Sequence, residues 1–328
     1  MAQQITGKIV QEYIERFQNT ANTTLAKKIF NENKGVWGTW DEVRALVRYY
    51  KGAVGDKKRE IRGLEKPTTV TPTLPESYAE PKKIMRFGRY DTNILSISDL
   101  HIPYHTKEAI EVAVEYGHQK QVNTIFINGD ALDFYMMSRF EKDPRKRSIK
   151  QEFDAAIQFF TYLRKEFPTQ RITWLEGNHD ARYPKWLMTH AQHFFDDEYY
   201  SLQERLNLRK FNIEYLKDST LVYAGKLAMT HGHLVLRGIF APVNTARGVF
   251  LKTKQSTIVG HSHQVSEHTE KNLSGEIITC FSQGCLCDLQ PDYDPFVNKH
   301  AHGFAQVEVK GNGHFSVTNK RIHKGELL

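Results

Sequence analysis

Five apolar runs in this 328-residue chain end abruptly in residues that bind metals or move protons. NILSIS is followed by Asp99 and His101. TIFIN is followed by Gly129 and Asp130, with Asp133 three residues on. ITWLE runs into Gly177, Asn178, His179 and Asp180, KLAMT into His231 and His233, and STIV into Gly260, His261 and His263. Side chains at i and i+2 of an extended chain share a face, so Asp99 and His101 converge on one point beyond a strand end. In an α/β sheet the carboxyl ends of the strands open on one crevice. Asp99, His101, Asp130, Asn178, His231, His261 and His263 would gather there as nitrogen and oxygen donors. They are too many for one ion and suit two divalent cations about 3.5–4 Å apart, bridged by one carboxylate. Glycines before Asp130, Asn178 and His261 let the backbone turn sharply and approach closely. A donor set without thiolate fits Mn, Fe, Zn or Mg and excludes Cu(I) and iron–sulfur chemistry.

The elements that must position these tips alternate. Strand patterns at NILSIS, NTIFIN and RITWLEG are separated by helical stretches near 106–119 and 148–166. Further strands are expected in KLAMTH, STIVGH, EIITCFSQG and GFAQVEVKG. A βαβ first half and a strand-rich second half predict a layered α/β domain, strands packed as a sandwich and flanked by helices. Cys280, Cys285 and Cys287 form no paired zinc pattern. They read as small apolar residues of a buried strand and turn, in a reduced compartment.

DLH, GDALD, GNHD, THGH and GHSH, in this order over about residues 90–265, closely resemble the motifs of the calcineurin-like metallophosphoesterases. The resemblance implies a four-layer α/β/β/α sandwich. It gives one metal to Asp99, His101 and His263, the other to Asn178, His231 and His261, and makes Asp130 the bridge. His179 matches the family's catalytic histidine, which binds no metal. Two ions imply phosphoester hydrolysis: they polarise the phosphoryl oxygens, and a bridging water loses its proton near neutral pH and attacks in line. His179 would then assist the leaving oxygen, with Asp180 or Asp133 orienting its ring. Mn is the favoured metal. Protein phosphatases of the family read GDxxDRG and GNHE; GDALDFY lacks the Arg-Gly and GNHD ends in Asp180, which argues against phosphoprotein substrates. The form is similar to the nuclease and phosphodiesterase branches, and the longer strings GDALDFYMMSRFEKDP, GNHDARY and GCLCDLQPDY resemble phage and prophage members. Arg182, His233, Arg139 and Tyr135 are the candidate substrate contacts. Phe134 and Tyr135 are placed to stack on bases, and Arg139, Arg145, Lys146 and Arg147 to track a phosphate backbone.

Charge and composition add a setting. Net charge is +7, and residues 1–66 hold 13 Lys and Arg against 8 Asp and Glu, so most of the excess lies in that fifth of the chain. Such a basic appendage suits a polyanionic partner. Ile5, Ile9, Tyr13 and Phe17 make the apolar stripe of a first helix, and NTTLAKKIFNEN a second. A third starts at a capping box of Thr39 and Glu42, with Trp40, Val43, Val47 and Tyr50 inward and Arg44, Arg48 and Lys51 outward. This basic three-helix domain over 1–66 is compatible with a helix-turn-helix-like module whose Arg44, Arg48 and Lys51 meet nucleic acid. Four prolines in KPTTVTPTLPESYAEPKK mark a linker over 67–83, and the catalytic body is expected over 84–328. The start lacks the apolar core of a secretory signal, and no apolar run is long enough to span a membrane. The expectation is a nuclease or phosphodiesterase of the bacterial cytoplasm, phage or prophage encoded, with nucleic acid as partner, no membrane, and a homo-oligomer compatible. The rival is a phosphomonoesterase or cyclic-nucleotide phosphodiesterase on small substrates; a DNA-binding regulator ranks last.

Overall fold

The computed structural model describes residues 2–52, 74–88, 91–138, 148–238, 243–291 and 298–328. Two compact units divide the chain, Met1–Ala79 and Glu80–Leu328. Of the linker expected over 67–83, residues 74–83 carry no helix or strand, and 67–73 lie outside the described residues.

In the first unit, α1 (Ala2–Arg16), α2 (Asn22–Glu32) and α3 (Trp40–Tyr50) enclose a small core. Val10, Leu25, Ala26, Ile29, Val43 and Val47 are fully buried, with Ile9, Tyr13, Phe17, Trp40 and Tyr50 packed around them. The side chain of Ile5 lies outside the described part. The expected capping box is not made. Thr39 stands at the N-cap position, but its side chain accepts no backbone N–H. Its hydroxyl donates instead to the Glu42 carboxylate at 3.4 Å, and Glu42 accepts from Gly38 N–H at 3.3 Å. The chain from Asn33 to Thr39 separates α2 from α3, a longer connection than the three- or four-residue turn of a helix-turn-helix pair.

The second unit is built on two sheets. Its strands are β1 (Ile84–Phe87), β2 (Thr92–Ile97), β3 (Thr124–Asn128), β4 (Arg171–Leu175), β5 (Ile213–Leu216), β6 (Leu221–Ala224) and β7 (Leu227–Thr230), followed by β8 (Thr257–Val259), β9 (Val265–Lys271), β10 (Ile277–Gln283), β11 (His302–Val309), β12 (Phe315–His323) and β13 (Glu326–Leu327). Its helices are α4 (Lys107–Gln119), α5 (Ile149–Glu166), α6 (Arg182–His190), α7 (Leu202–Arg205) and α8 (Thr245–Thr253). One sheet runs β13-β12-β11-β2-β3-β4-β5 and the other β1-β6-β7-β8-β10-β9.

Alternation along β3 shows how the layers form. Ile125 and Ile127 point to the helical side, where Ile110 and Val114 of α4 and Phe160 and Leu163 of α5 pack. Phe126 points the other way, into a core shared by both sheets with Phe87, Leu175, Val222, Met229, Ile258, Phe281 and Val307. Both faces of the central strands are buried, so they read as near-continuous apolar runs. On the outer face of the second sheet, Ala246 and Val249 of α8 meet Val259, Ile278 and Cys280. The order of layers is helix, sheet, sheet, helix, the four-layer arrangement expected.

Register brings the polar tips level. Ile97 pairs with Ile127 and Ile127 with Trp174 across parallel β2, β3 and β4, while Thr230 pairs with Val259 across parallel β7 and β8. Each of these strands stops within a residue or two of that rung. The next residues are the chemical ones.

Candidate metal centre

The backbone changes hand where the strands end. Asp99, His101, Asp130, His261 and His263 all have φ between +48° and +64°. A non-glycine residue at positive φ is uncommon and such residues concentrate at functional sites. Here the left-handed turn folds each side chain back over the sheet edge. Close approach of the loops is a second requirement. A Cβ on Gly177 would collide with the Asp130 carboxylate and backbone nitrogen, and one on Gly129, at φ +84°, with the His231 ring. Those two glycines admit Asp130 and its neighbour His231.

All seven expected ligands converge. On one side, His263 Nε2 lies 3.3 Å from Asp99 Oδ1 and 3.2 Å from His101 Nε2, while His101 Nε2 is 4.0 Å from Asp99 Oδ1. On the other, His231 Nε2 lies 3.2 Å from Asn178 Oδ1, and ligand atoms of Asp130, His231 and His261 fall within 4.8 Å of one another. Asp130 stands between: its Oδ2 is 3.0 Å from His231 Nε2 and 3.8 Å from His101 Nε2. Its other oxygen accepts from His179 N–H at 2.8 Å, which leaves one carboxylate oxygen facing both halves.

The tautomers fit ligation by Nε2. His231 Nδ1 lies 2.8 Å from the Asn128 carbonyl oxygen, and His101 Nδ1 lies 3.0 Å from Asp133 Oδ1. A carbonyl or carboxylate oxygen can only accept, so Nδ1 carries a proton and Nε2 is the nitrogen left to face the centre, free to ligate once it gives up any proton of its own. His263 Nδ1 faces the Cys287 sulfur at 3.8 Å. Charge tells the same story. Asp99 and Asp130 are essentially inaccessible to solvent. Burial raises the Asp99 carboxyl pKa, but His231 and His263 outweigh it and bring the group to about 2. Asp130 is likewise held well below the usual range, burial being overcome by His231 and His179. In return the pair of Asp130 and Asp99 lifts His231 to about 10 against its own burial. Protons on imidazoles balance two buried carboxylates, a task that divalent cations among the same atoms would perform. The residues therefore fit metal ions.

Beside Asp130 sits a short chain of polar contacts. Asp133 Oδ1 lies 3.0 Å from His179 Nδ1 as well as from His101 Nδ1. Arg182 donates to the Asp133 carbonyl oxygen at 2.8 Å, and its Nη2 lies 3.0 Å from His179 Nε2. Guanidinium nitrogens only donate, so His179 Nε2 accepts and Nδ1 bears the proton toward Asp133. Burial is the chief cause that keeps the His179 pKa below its ordinary value. Asp180, the other candidate for orienting this ring, turns away. Its oxygens accept from Leu132 N–H at 3.0 Å, Gly177 N–H at 2.8 Å and Trp174 Nε1–H at 3.1 Å. Burial and the nearby Asp130 push its carboxyl up to about 7. It braces the GNHD turn and does not touch His179.

Other expected contacts divide. The His233 ring lies 5.5 Å from that of His231 and 6.1 Å from that of His261, with Nε2 3.3 Å from Asp218 Oδ2. Tyr135 is half-buried in a short turn, Tyr135–Met137. Phe134 is fully buried, its ring 5.6 Å from Tyr183 and 5.7 Å from Phe153, so it packs the core and offers no face to a base. Arg139, Arg145, Lys146 and Arg147 lie outside the described residues. On α3, Lys51 is committed to the carbonyls of Thr20 at 2.7 Å and Gln18 at 3.4 Å, where it caps the chain after α1. Arg44 lies 3.6 Å from Asp41 and sits over the Trp40 ring. Arg48 has no ion-pair partner among the described residues. Two neighbours of the centre carried no signal in the sequence. They are Cys287, beside His263, and His300, whose ring centroid is 4.6 Å from that of His263. Both arrive from a distant loop.

The profile of the calcineurin-like phosphoesterases matches residues 92–296. The chain belongs to that family. This makes it a metallophosphoesterase, of a kind that hydrolyses phosphoester bonds and typically binds divalent metals. The phosphoesterase is 25% identical over 185 residues to the Gene 54 protein of Mycobacterium phage L5, a match that covers 54% of this chain and 71% of that protein. Among solved structures it is similar to vacuolar protein sorting 29 of Cryptosporidium parvum, with 14% identity and a TM-score of 0.41 over 73% of this chain and 95% of that one. It is also similar to YfcE, a phosphoesterase from E. coli, with 15% identity and a TM-score of 0.32 over 69% and 98%. No helix among the described residues is long and apolar enough to cross a membrane.

Proposed function

We propose that this phosphoesterase is a phosphodiesterase that cuts nucleic acid, with Asp99, His101 and His263 holding one divalent cation, Asn178, His231 and His261 a second, and Asp130 shared. Mn is the favoured metal. The observation that carries the reading is the placement of Asp130 Oδ2 between two imidazole-lined donor sets, with the relay of Asp133, His179 and Arg182 directly beside it. Bound there, two cations supply charge that polarises phosphoryl oxygens and makes water nucleophilic at neutral pH.

The chain's own residues do the rest. Asp133 fixes the His179 ring so that Nε2 faces the leaving side. Arg182 covers that nitrogen in the resting site. An anionic phosphodiester draws the guanidinium onto a phosphoryl oxygen, which uncovers Nε2, and the added negative charge favours protonation there. His179 then delivers that proton to the leaving oxygen. Support for a nucleic acid substrate comes from the net charge of +7 and from GDALDFY and GNHD, which lack the phosphoprotein-type Arg-Gly and Glu. The N-terminal helical unit adds general affinity for a polyanion, with Arg48 among its described cations that have no ion-pair partner.

The test loads the full chain with Mn²⁺ and compares bis(p-nitrophenyl) phosphate, p-nitrophenyl phosphate, single-stranded DNA, duplex DNA and RNA. Cleavage of a nucleic acid, with the diester preferred to the monoester, is the expected result. A large preference for the monoester overturns the reading.

A further inference from the structure

Helix α6 begins at the catalytic relay and leads away from it. Arg182, Trp186 and His190 recur at i, i+4 and i+8, so they lie along one side of that helix. The first of them touches His179. The helix is anchored to the core through Tyr183 and Leu187, which are 6% and 7% exposed, and Trp186 is not among its buried residues. Trp186 is 36% exposed and Met188 is 50% exposed. The indole is nevertheless held. The His190 ring lies parallel to it, with centroids 5.2 Å apart and an interplanar angle of 15°. His190 itself is fixed by its Nδ1, which lies 3.2 Å from the Trp186 carbonyl oxygen and 2.7 Å from Thr189 Oγ1. No second ring or cation among the described residues packs on Trp186. The exposed Lys185 precedes it in the sequence.

A rigid, exposed indole about one helical turn, roughly 5.4 Å, beyond an arginine at a phosphoryl site has a specific use. We propose that Trp186 is a stacking platform for the nucleobase on the leaving side of the scissile phosphodiester, with His190 as its support and Arg182 on the phosphate. This rests on the phosphodiesterase reading of the same site. A nucleobase is the occupant that matches both features, an apolar ring continuous with a cationic phosphate contact, since every base offers a π-face and every linkage an anion. His179 serves the leaving oxygen in that reading, which puts the α6 stripe on the leaving side.

The test uses the full chain with short single-stranded oligothymidylate. Binding is read by anisotropy of a labelled oligonucleotide in EDTA, and cleavage is read in Mn²⁺. Trp186→Ala is expected to weaken binding about 5- to 150-fold, the span for loss of one stacked base. Trp186→Phe should restore most of the affinity, and kcat at saturation should stay within about twofold of the parent. Unchanged affinity in Trp186→Ala, while the parent cleaves the oligonucleotide, overturns the platform and leaves the nuclease reading standing. If the parent binds without cleaving and Trp186→Ala loses the binding, the base-stacking role of Trp186 stands, and its place on the leaving side of a scissile linkage falls with the nuclease reading. A shift in sedimentation on Trp186→Ala with no change in oligonucleotide binding assigns this face to self-association and overturns the platform.

Discussion

On one side of Asp130 the imidazoles are backed by side chains, His101 by Asp133 and His263 by Cys287; on the other, His231 is backed by the main-chain carbonyl of Asn128. The ligands are alike and their supports are not. A carbonyl at the end of β3 is fixed by the sheet ladder and is present whatever residue occupies position 128. A carboxylate can do more. Asp133 Oδ1 reaches His179 as well as His101, which ties one half of the centre to the group proposed to serve the leaving oxygen. The His101 side is thus open to tuning, and the His231 side is built into the fold.

The residue common to both halves should give the largest effect. Asp130→Asn removes the shared charge, so both ions should be retained poorly. The activity loss should exceed the roughly 10- to 100-fold typical of a supporting residue. Metal content by elemental analysis is the check; retention of both ions would show that Asp130 does not bridge. Next come the two ends of the Asp133 contact. His179→Ala should lower kcat about 10²- to 10⁴-fold with metal content near normal, the scale of a lost acid–base group. Asp133→Ala should do two things at once: reduce kcat through a loosened His179, and weaken the His101-side ion about 10- to 100-fold while the His231-side ion stays. Equal loss of the two ions would abolish the asymmetry between the halves.

The sequence carried the strand tips because each is a local event: an apolar run stops and a ligand begins. It also carried the glycines, whose spacing from Asp130 and Asn178 matches the close approach seen at Gly129 and Gly177. What it did not carry depends on contacts made across the chain. Asp180 and Asp133 looked equivalent as partners of His179. In the fold Asp180 turns back to Trp174 and Leu132, and the distant Asp133 is the partner. Phe134, read as a stacking face, fills the core beneath the GDALD loop. Strand β12, FSVTNKRIH, alternates in exposure but holds too few apolar residues to announce itself. The reversal of φ at Asp99, His101, Asp130, His261 and His263 has only a weak signature in residue type, since Asp and His are enriched in the left-handed region but most of them lie outside it.

Proton balance gives a pH dependence shared by the halves. His231 is raised to about 10 by Asp130 and Asp99, and His263 is raised well above its ordinary value by its contacts with Cys287 and Asp99, burial being outweighed in each case. A histidine that holds its proton more tightly folded than unfolded adds stability that is complete below about pH 6.5 and is lost as pH rises through the folded value. The EDTA-treated protein should therefore lose thermal stability steadily from pH 6.5 to 10. Ligation needs both imidazoles neutral, so each half should expel a proton as its ion binds, and metal affinity should fall as pH is lowered through neutrality. Titration calorimetry in buffers of different ionisation enthalpy counts those protons. A proton count near zero would mean that His231 and His263 are already neutral in the empty pocket.

The smallest effect is expected at Cys287, and it is the one that most sharpens the contrast between the halves. Its sulfur stands 3.8 Å from His263 Nδ1, and its thiol pKa is pushed up by the neighbouring Cys285 and by burial. A neutral sulfur is a weak acceptor, a poorer support for His263 than Asp133 is for His101. Cys287→Ala should thus weaken the His101-side ion by less than about tenfold, below the usual range for a supporting group, and leave His179 chemistry unchanged. Yet His101, His263 and Cys287 also offer ligand atoms within 4.8 Å of one another. Substitution with Co²⁺ separates the two roles, because a sulfur that binds the ion gives a thiolate charge-transfer band and one that only supports His263 gives none. A band that vanishes in Cys287→Ala, together with metal loss greater than in Asp133→Ala, would make the sulfur a ligand. The His101 half would then differ from its neighbour in the donors themselves, and not only in what stands behind them.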